Sequence, residues 1–292
     1  MDAALSYVPV VVQRRIAAER GNLEAARLDV VTGALLFADI SGFTKLTERS
    51  AQDGQEGIER LTATLNDFFG MMIAVIADHG GDIVKFAGDA VLTMWPAEEG
   101  DDASEASARA AACALEVQTA VAGYLTQYGT PLLVKTTVSA GTLACAYLGG
   151  VWGRWELVFF GKPLSAAGRA ADQCGAGEVV LAPGAAKRLT GRCDTVTLLD
   201  GAERLLSLRD PPPTQPMALP VLDEAALAAL WKYLPGAIRS RLRSGQARWL
   251  AELRKISVLF VTMPGHAGDL GLEESQRLMV ELQTLVYRVE GS

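Results

Sequence analysis

The sequence is poor in the residues that build metal clusters, disulfide scaffolds and nucleic-acid interfaces. Its 292 residues include only two histidines, and its four cysteines are scattered without the spacing of metal ligands. A net charge of −7 argues against nucleic acid, which favours a basic face. We therefore expect a cytoplasmic protein with reduced thiols that does not bind nucleic acid.

Long apolar segments and a targeting signal are also missing from the sequence. No apolar run approaches the roughly 20 residues that cross a bilayer, and the N-terminus lacks the charged-then-apolar pattern of a signal peptide. These absences predict that the chain has no membrane span. Half of the residues are nevertheless hydrophobic, which is enough for one large domain or two smaller ones with real cores.

Hydrophobic periodicity predicts strands mixed with helices. Ala34–Asp39 has the composition of a buried strand, and apolar residues recur at helical spacing over Gly57–Asp78, until two glycines end the helix. The further predicted elements are strands at Asp82–Phe86 and Ala90–Trp95 around an Ala-Gly-Asp turn, a helix from about Ala103 to Tyr128, strands at Val134–Ala140, Thr142–Leu148 and Trp155–Phe160, a helix at Leu164–Gln173 and a strand at Glu178–Leu181. This order predicts an α+β sandwich in which helices pack on an antiparallel-rich sheet.

Two aspartates that follow predicted strands or turns mark the candidate site. Asp39 ends an apolar run and opens the motif Asp-Ile-Ser-Gly-Phe, and Asp89 follows a glycine fifty positions later. A carboxylate at the tip of a strand, followed by the backbone amides of a glycine turn, can hold a divalent metal against a phosphate. Two such carboxylates suit the clamp of two-metal phosphoryl-transfer sites.

Each aspartate also has a simpler interpretation. Asp89 stands where a hairpin turn ordinarily carries an aspartate. Asp39 could cap a helix that starts near Ser41. The surrounding motif favours the metal interpretation for both residues.

A proline-rich segment separates two copies of one pattern. Prolines cluster between residues 211 and 220 and predict a stiff linker. Beyond the linker, Tyr7-Val8-Pro9 returns as Tyr233-Leu234-Pro235, and the strand pattern Ile256–Thr262 places its last residue, a threonine, opposite Asp39. Either a second domain begins here and has lost the metal carboxylate, or two helix-then-strand segments match by chance.

These patterns predict four segments. They are an N-terminal leader (1–32), a catalytic-type domain (33–208), a proline-rich linker with a helix (209–252) and the start of a second, truncated domain (253–292). On this division the site residues of the second domain would lie beyond Ser292.

Two motifs carry a resemblance to a known family. Phe37–Thr44 and Gly80–Asp89 together resemble the class III nucleotidyl cyclases, most closely the first catalytic domain of the bicarbonate-responsive, soluble-type adenylyl cyclases. The resemblance extends over about Tyr7 to Ser292. It implies a ferredoxin-like cyclase fold and a dimer of catalytic domains with ATP at the interface. The partner would be a second cyclase domain in the same chain or a second copy in a homodimer.

The resemblance implies roles for individual residues. Asp39, Asp89 and the carbonyl oxygen of Ile40 would bind two Mg²⁺ (or Mn²⁺) ions. The terminal phosphates of ATP would contact a short run of backbone and one basic side chain, namely Gly42, Phe43, Thr44 and Lys135. A simpler alternative for the last residue is a solvated strand lysine.

Several positions depart from the family pattern. The helix that should carry an asparagine and an arginine four apart has Ser165 and Arg169, and the purine-selecting position is Val158. The chain would therefore supply the residues that bind the metal ions. It would lack groups of the complementary half of the site, which binds the purine and stabilises the transition state. Lys85 and Arg169 match cations that bind bicarbonate in the soluble-type enzymes, which implies a small-anion regulatory site. The alternative is that Lys85 extends into solvent and that Arg169 pairs with Asp172.

The sequence therefore predicts the metal-donating half of an adenylyl cyclase, which converts ATP to 3′,5′-cyclic AMP and pyrophosphate in intracellular signalling. Guanylyl specificity stays open because the purine-selecting residues are absent from the chain. A non-catalytic, regulatory cyclase-like domain is the third interpretation, and the presence of both Asp39 and Asp89 argues against it.

Overall fold

The computed structural model describes residues 3–21, 25–244, 271–289 and 291. The chain forms two compact units. The sheet unit comprises Val31–Leu143 and Lys162–Ala218, and the hairpin unit comprises Met1–Val30, Ala144–Gly161 and Leu219–Ser292. Each unit therefore contains segments that are distant in the sequence.

Strands and helices are mixed along the chain, as the periodicity predicts. The strands are β1 (Arg27–Ser41), β2 (Asp82–Ala87), β3 (Ala90–Pro96), β4 (Leu133–Gly149), β5 (Trp155–Phe160), β6 (Val179–Leu181), β7 (Cys193–Thr197) and β8 (Glu203–Leu208). The α-helices are α1 (Val10–Ala18), α2 (Phe43–Gln52), α3 (Gly54–Asp78), α4 (Ser104–Val121), α5 (Lys162–Ala171), α6 (Pro183–Arg188), α7 (Glu224–Leu230), α8 (Gly236–Arg243) and α9 (Leu272–Arg288). Short 3₁₀ turns lie at Ala3–Tyr7, Val151–Gly153, Leu199–Gly201 and Trp231–Tyr233.

The sheet has the strand order β2-β3-β1-β4-β6-β8-β7. The β4–β6 pair is parallel, and the β1–β3, β2–β3, β6–β8 and β7–β8 pairs are antiparallel. In the hairpin unit, β5 pairs antiparallel with the end of β4. The predicted antiparallel-rich α+β fold is confirmed.

The core of the sheet unit lies between the sheet and the long helices α3 and α4. Leu36 and Val91 of the sheet are fully buried beside Phe68 and Met72 of α3. Most buried residues of α4 are alanines, and their small side chains allow the helix to lie close to the strands. The alanine-rich composition of α4 thus serves close helix–sheet packing.

Among the described residues, α3 is the helix long and apolar enough to cross a membrane, which differs from the expectation that no segment reaches that length. Leu61, Phe68, Met72 and Ile76 of this helix belong to the core of the sheet unit. The core helix of a globular protein meets the same criterion, so length and composition are weak evidence for a span.

Several element boundaries differ from the prediction, and the largest differences are in β1, α4 and β4. β1 begins at Arg27, before the predicted start at Ala34, and α4 ends at Val121 instead of near Tyr128. β4 is one continuous strand, although Gly141 suggested a break; the glycine continues the strand with φ +147°, a conformation that other residues rarely adopt. The short elements α6, β7 and β8 were not predicted.

The repeated sequence pattern has the same local structure in both copies. Each copy is a 3₁₀ turn ending in tyrosine, a buried aliphatic residue and a proline that precedes a helix. Pro9 has φ −52° and ψ 145°, and Pro235 has φ −54° and ψ 147°. The predicted second strand, Ile256–Thr262, lies outside the described residues.

The proline-rich linker contacts the sheet unit through Gln215. Its side-chain oxygen accepts a hydrogen bond from Arg109 of α4 at 2.9 Å. Its backbone carbonyl lies against Gly80, where φ is +71° and where an added Cβ would overlap the carbonyl oxygen. Gly80 therefore permits both the left-handed end of α3 and the close approach of the linker.

We expect Gly80→Ala to destabilise the protein more than Gly100→Ala does. Both glycines have positive φ, but nothing lies within 4 Å of a Cβ added at Gly100. In the control, Gly100→Ala, left-handed strain should lower the free energy of unfolding by about 1 kcal/mol. Gly80→Ala should lower it by at least about twice that amount, because the linker must also move. Urea unfolding measures both values, and equal losses would contradict the close contact.

Candidate active site at the ends of β1 and β3

The pairing of β1 with β3 brings the two predicted aspartates together. Asp39 pairs with Ala90 at the last position of the β1–β3 register. The next amide, that of Ile40, donates to the carbonyl oxygen of Asp89 at 3.3 Å. Asp89 itself lies with Gly88 in the two-residue turn between β2 and β3. The hairpin-turn interpretation of Asp89 is thus correct, and the turn places its carboxylate beside Asp39.

The start of α2 supplies unpaired backbone amides next to Asp39. Gly42 precedes the helix with φ +94°, and no side chain caps this end. The first intrahelical bond runs from Leu46 N to Gly42 O at 3.1 Å. The amides of Phe43 and Thr44 therefore have no intrahelical acceptor, and they are suited to bind an anion. The alternative that Asp39 caps this helix is not realised.

The charges of Asp89 and Lys135 act on the carboxyl group of Asp39. Burial raises the pKa of Asp39, the charge of Asp89 raises it further, and Lys135 on β4 acts in the opposite direction. All three side chains are half-buried. Two carboxylates with one partly compensating lysine leave room for a cation.

The donor set fits magnesium better than a transition metal. The described residues contain no group of three or more histidine, cysteine, aspartate and glutamate side chains that could hold a metal. Asp39, Asp89 and the Ile40 carbonyl offer oxygen ligands only. Mg²⁺ binds through one or two carboxylates and takes its other ligands from water and substrate phosphates. The residues present therefore fit the metal that the resemblance implies.

The cations predicted to hold a regulatory anion are exposed. Lys85 lies on β2 and Arg169 on α5, and neither forms an ion pair within the described part of the chain. The alternative pairing of Arg169 with Asp172 is absent there. Ser165, one turn before Arg169, is also exposed, and Val158 is half-buried on β5 in the hairpin unit.

Sequence reasoning missed one residue of the site. The Ser41 hydroxyl oxygen is buried and has no hydrogen-bond partner, although it lies between the proposed metal ligand Ile40 and the turn glycine Gly42. A buried hydroxyl without a partner is costly, which makes Ser41 a candidate residue of the site. Its position inside the motif was the available signal.

The fold matches solved structures of nucleotide cyclases. The adenylyl cyclase CyaB from P. aeruginosa gives a TM-score of 0.51 at 18% identity and covers 64% of this chain and 99% of that one. A bacterial light-regulated adenylyl cyclase gives 0.54 at 16% identity, covering 81% and 64%. The guanylyl cyclase Cya2 gives 0.50 at 22% identity, covering 66% and 98%. These similarities define the fold as that of a class III nucleotidyl cyclase catalytic domain.

Sequence comparison gives the same result. Residues 23–202 match the family model described as adenylate and guanylate cyclase catalytic domain, and the chain belongs to this family. Human adenylate cyclase type 10 is 33% identical over 124 residues, and the mouse protein is 30% identical over 153 residues. These matches cover 42% and 52% of this chain but only 8% and 9% of the relatives. Adenylate cyclase 1 of Rhizobium meliloti is 33% identical over 114 residues, covering 38% of this chain and 16% of that protein.

We expect Asp39→Asn to stabilise the metal-free protein at neutral pH. The folded-state pKa of Asp39 lies above its ordinary value of 3.8, so ionisation of this carboxyl opposes folding. This cost is present above the folded-state pKa and disappears as the pH falls below 3.8. Thermal unfolding of the wild-type and Asn proteins should therefore differ at pH 7 and converge in acid.

The matched control is Asp78→Asn, the same chemical change at an exposed residue of α3. Added Mg²⁺ should stabilise the wild-type protein and the control but not Asp39→Asn. A lower unfolding temperature for metal-free Asp39→Asn than for wild type at pH 7 would contradict the cost of ionising Asp39 in the folded protein.

Proposed function

We propose that the chain is the metal-donating half of an adenylyl cyclase that converts ATP to 3′,5′-cyclic AMP and pyrophosphate. The observation that carries this proposal is that Asp39, at the end of β1, lies beside the β2–β3 turn that carries Asp89 and beside the unpaired amides at the start of α2. The three relatives described above are named adenylate cyclases, and their names support ATP as the nucleotide.

Each residue has a role that follows from its chemistry. Asp39 and Asp89, with the Ile40 carbonyl, would hold two Mg²⁺ (or Mn²⁺) ions. Bound there, the ions would increase the nucleophilicity of the ribose 3′-hydroxyl and neutralise the departing pyrophosphate.

The phosphate-binding residues lie next to this carboxylate pair. The amides of Gly42, Phe43 and Thr44 would donate to the terminal phosphates, and Lys135 would add a positive charge on the side of β4. Positioning of the phosphates and stabilisation of the negative charge would supply most of the rate.

The chain lacks the complementary half of a complete site. Ser165 replaces the asparagine of the family pattern, and Val158 has no group that hydrogen-bonds a purine edge. A second cyclase domain, in the same chain or in a homodimer, would supply these groups. The alternatives are a guanylyl cyclase, if that partner selects guanine, and a non-catalytic regulatory domain.

We infer that the protein is cytoplasmic and that its described residues do not cross a membrane. The packing of α3 into the core of the sheet unit supports this assignment. The cysteines support it as well: all four (Cys113, Cys145, Cys174 and Cys193) are free thiols, and the first three are buried.

Nucleotide binding tests the catalytic interpretation directly. We expect the 292-residue chain to bind ATP more tightly with Mg²⁺ than without it, and we expect Asp39→Ala and Asp89→Ala to remove that difference. Asp78→Ala is the control because its side chain is exposed and takes no part in the site. Binding that ignores the metal in the wild-type chain would favour the regulatory interpretation, and tighter binding of GTP would favour the guanylyl one.

In a longer parent protein that contains both cyclase domains, Asp39→Ala or Asp89→Ala should lower the turnover of ATP on the order of 10²-fold or more. Each substitution removes a carboxylate that both ions share, and the remaining ligands cannot hold the same geometry. Circular dichroism of the variants checks that the fold is intact. Turnover above about a tenth of the parental rate at saturating Mg²⁺ would remove the metal assignment.

We also propose a site for a small anion such as bicarbonate at Lys85 and Arg169. The support is that both cations are exposed and that neither has a carboxylate partner within the described residues. The proposal requires that the two cations face a common pocket, in which a bound anion would relieve their repulsion.

Bicarbonate titration of the longer parent, at fixed pH and ionic strength, tests this site. We expect stimulation of turnover that is lost in Lys85→Ala and in Arg169→Ala. Arg188→Ala serves as a control for the removal of a positive charge elsewhere on the sheet unit. The anion site is wrong if the parent is not stimulated or if both variants respond as the parent does.

A further inference from the structure

The first turn of α2 carries a lysine where helices ordinarily favour an acid. Phe43 and Thr44 are the first two residues of this helix, and Lys45 is the third. The turn contains no acidic residue, whereas the longer helices α3, α4 and α9 each have a glutamate in their first turn. Carboxylates stabilise the positive end of a helix dipole and cations oppose it, so the position of Lys45 is unfavourable for a lysine in the helix alone.

Lys45 has no protein partner that would offset this cost. Its side chain is exposed, and within the described part of the chain it forms no ion pair or side-chain hydrogen bond. Its backbone amide also lacks an intrahelical acceptor, because the first bond of the helix runs from Leu46 N to Gly42 O. Lys45 therefore offers both an amide and an ammonium group to a ligand at the start of α2.

Helix geometry directs long side chains back towards the start of the helix. The Cα–Cβ bond leans towards the N-terminus, and a long side chain covers the surface over the preceding turn. For Lys45 this surface is open at Gly42, since no described atom lies within 4 Å of a Cβ added there. The same turn holds the buried hydroxyl oxygen of Ser41, which has no hydrogen-bond partner among the described residues. The ammonium group of Lys45 can thus extend over unpaired polar groups without a clash.

The order of charges along the chain matches Lys45 to the outermost phosphate. Asp39 lies at the metal end of the site, the amides of Phe43 and Thr44 follow, and Lys45 comes last. The charge of Lys135 acts on Asp39, whereas Lys45 has no such carboxylate within the described residues. A terminal phosphate carries nearly two negative charges at neutral pH and is the strongest anion of a polyphosphate. The free cation and the most negative phosphate therefore lie at the same end.

We propose that Lys45 is a specificity-determining residue, which binds the terminal phosphate of a nucleoside triphosphate and makes the chain prefer a triphosphate to a diphosphate. The ammonium group would donate a charge-assisted hydrogen bond to an oxygen of the third phosphate, which a diphosphate lacks. This inference rests on the proposed function, because it concerns the same site. It adds a side-chain contact from α2 to the amides and to Lys135.

Calorimetric titration of the full 292-residue chain with nucleotides and Mg²⁺ tests the role of Lys45. We expect Lys45→Gln to bind ATP about tenfold more weakly than the wild type does, and to bind ADP with an affinity within about twofold of the wild type. Lys45→Arg keeps a positive donor and should keep most of the preference for ATP. The 3′-deoxy forms of both nucleotides lack the attacking hydroxyl, so turnover cannot disturb the measurement.

The matched control is Lys162→Gln, the same change at an exposed lysine in the first turn of α5. The next residue, Pro163, lies 3.1 Å from a Cβ added at Gly141 of β4. Gly141 is six residues along this strand from Lys135, which corresponds to about 20 Å. Lys162 is therefore far from the candidate site, and its substitution should leave the binding of ATP unchanged.

Thermal unfolding without nucleotide or metal distinguishes recognition from a folding defect. Lys45→Gln should unfold at the wild-type temperature or slightly above it, because the change removes a cation from the positive end of α2. A lower unfolding temperature together with weaker binding would indicate a structural role for Lys45 and overturn the proposal. Unchanged ATP affinity in Lys45→Gln would also overturn it, as would equal losses of affinity for ATP and ADP.

Inorganic tripolyphosphate separates this proposal from the proposed function. It presents three linked phosphates without a nucleoside, and Lys45→Gln should weaken its binding in Mg²⁺ about tenfold. Such a loss supports the role of Lys45 even if the wild-type chain binds ATP no better with Mg²⁺ than without it, a result that counts against the proposed function alone. Metal-dependent ATP binding that survives in full in Lys45→Gln counts against Lys45 alone.

Discussion

The antiparallel pairing of β1 with β3 is the constraint on which the candidate site depends. Buried residues such as Leu36 and Val91 fix the register of these strands in the core, because a slip by one residue would turn their side chains towards the opposite face. The same register places Asp39 next to the turn that carries Asp89. Hydrophobic packing thus holds two negative carboxylates close together. Their combined negative charge favours the binding of a cation between them.

The candidate site brings groups of opposite charge together from separate parts of the chain. Asp39 and Asp89 are negative, whereas the unpaired amides at the start of α2 and the side chain of Lys135 are positive. A metal complex of a polyphosphate has the complementary arrangement, with cations on one side and phosphate oxygens on the other. The turn at Gly42 joins the two regions, because it allows β1 to lead into α2 within a few residues.

Local sequence signals predicted the parts of the fold that depend on neighbouring residues. The β2–β3 hairpin and α3 follow from glycine positions and from helical periodicity. β4 was predicted as two strands because Gly141 resembles a break, and only its pairing with neighbouring strands shows that it is continuous. The edge strand β7 and its neighbour β8 are largely half-buried or exposed and lack a clear alternation. In the site, the motif predicted both aspartates, whereas the unpaired hydroxyl of Ser41 depends on three-dimensional packing.

In the hairpin unit, α9 binds main-chain atoms of the turn between β4 and β5, which has a consequence for how this turn can evolve. Because Gln276 and Gln283 bind amides and carbonyls, the side chains of the turn contribute little to recognition apart from Trp152, whose ring stacks on α9. A Cβ at Gly149 would lie 2.6 Å from the Gln283 amide nitrogen. We expect the two glutamines and Gly149 to tolerate few substitutions, whereas the side chain of a residue such as Val151 can vary. The turn is therefore a suitable position for a fluorescent label, since a new side chain there leaves the hydrogen bonds to the helix in place.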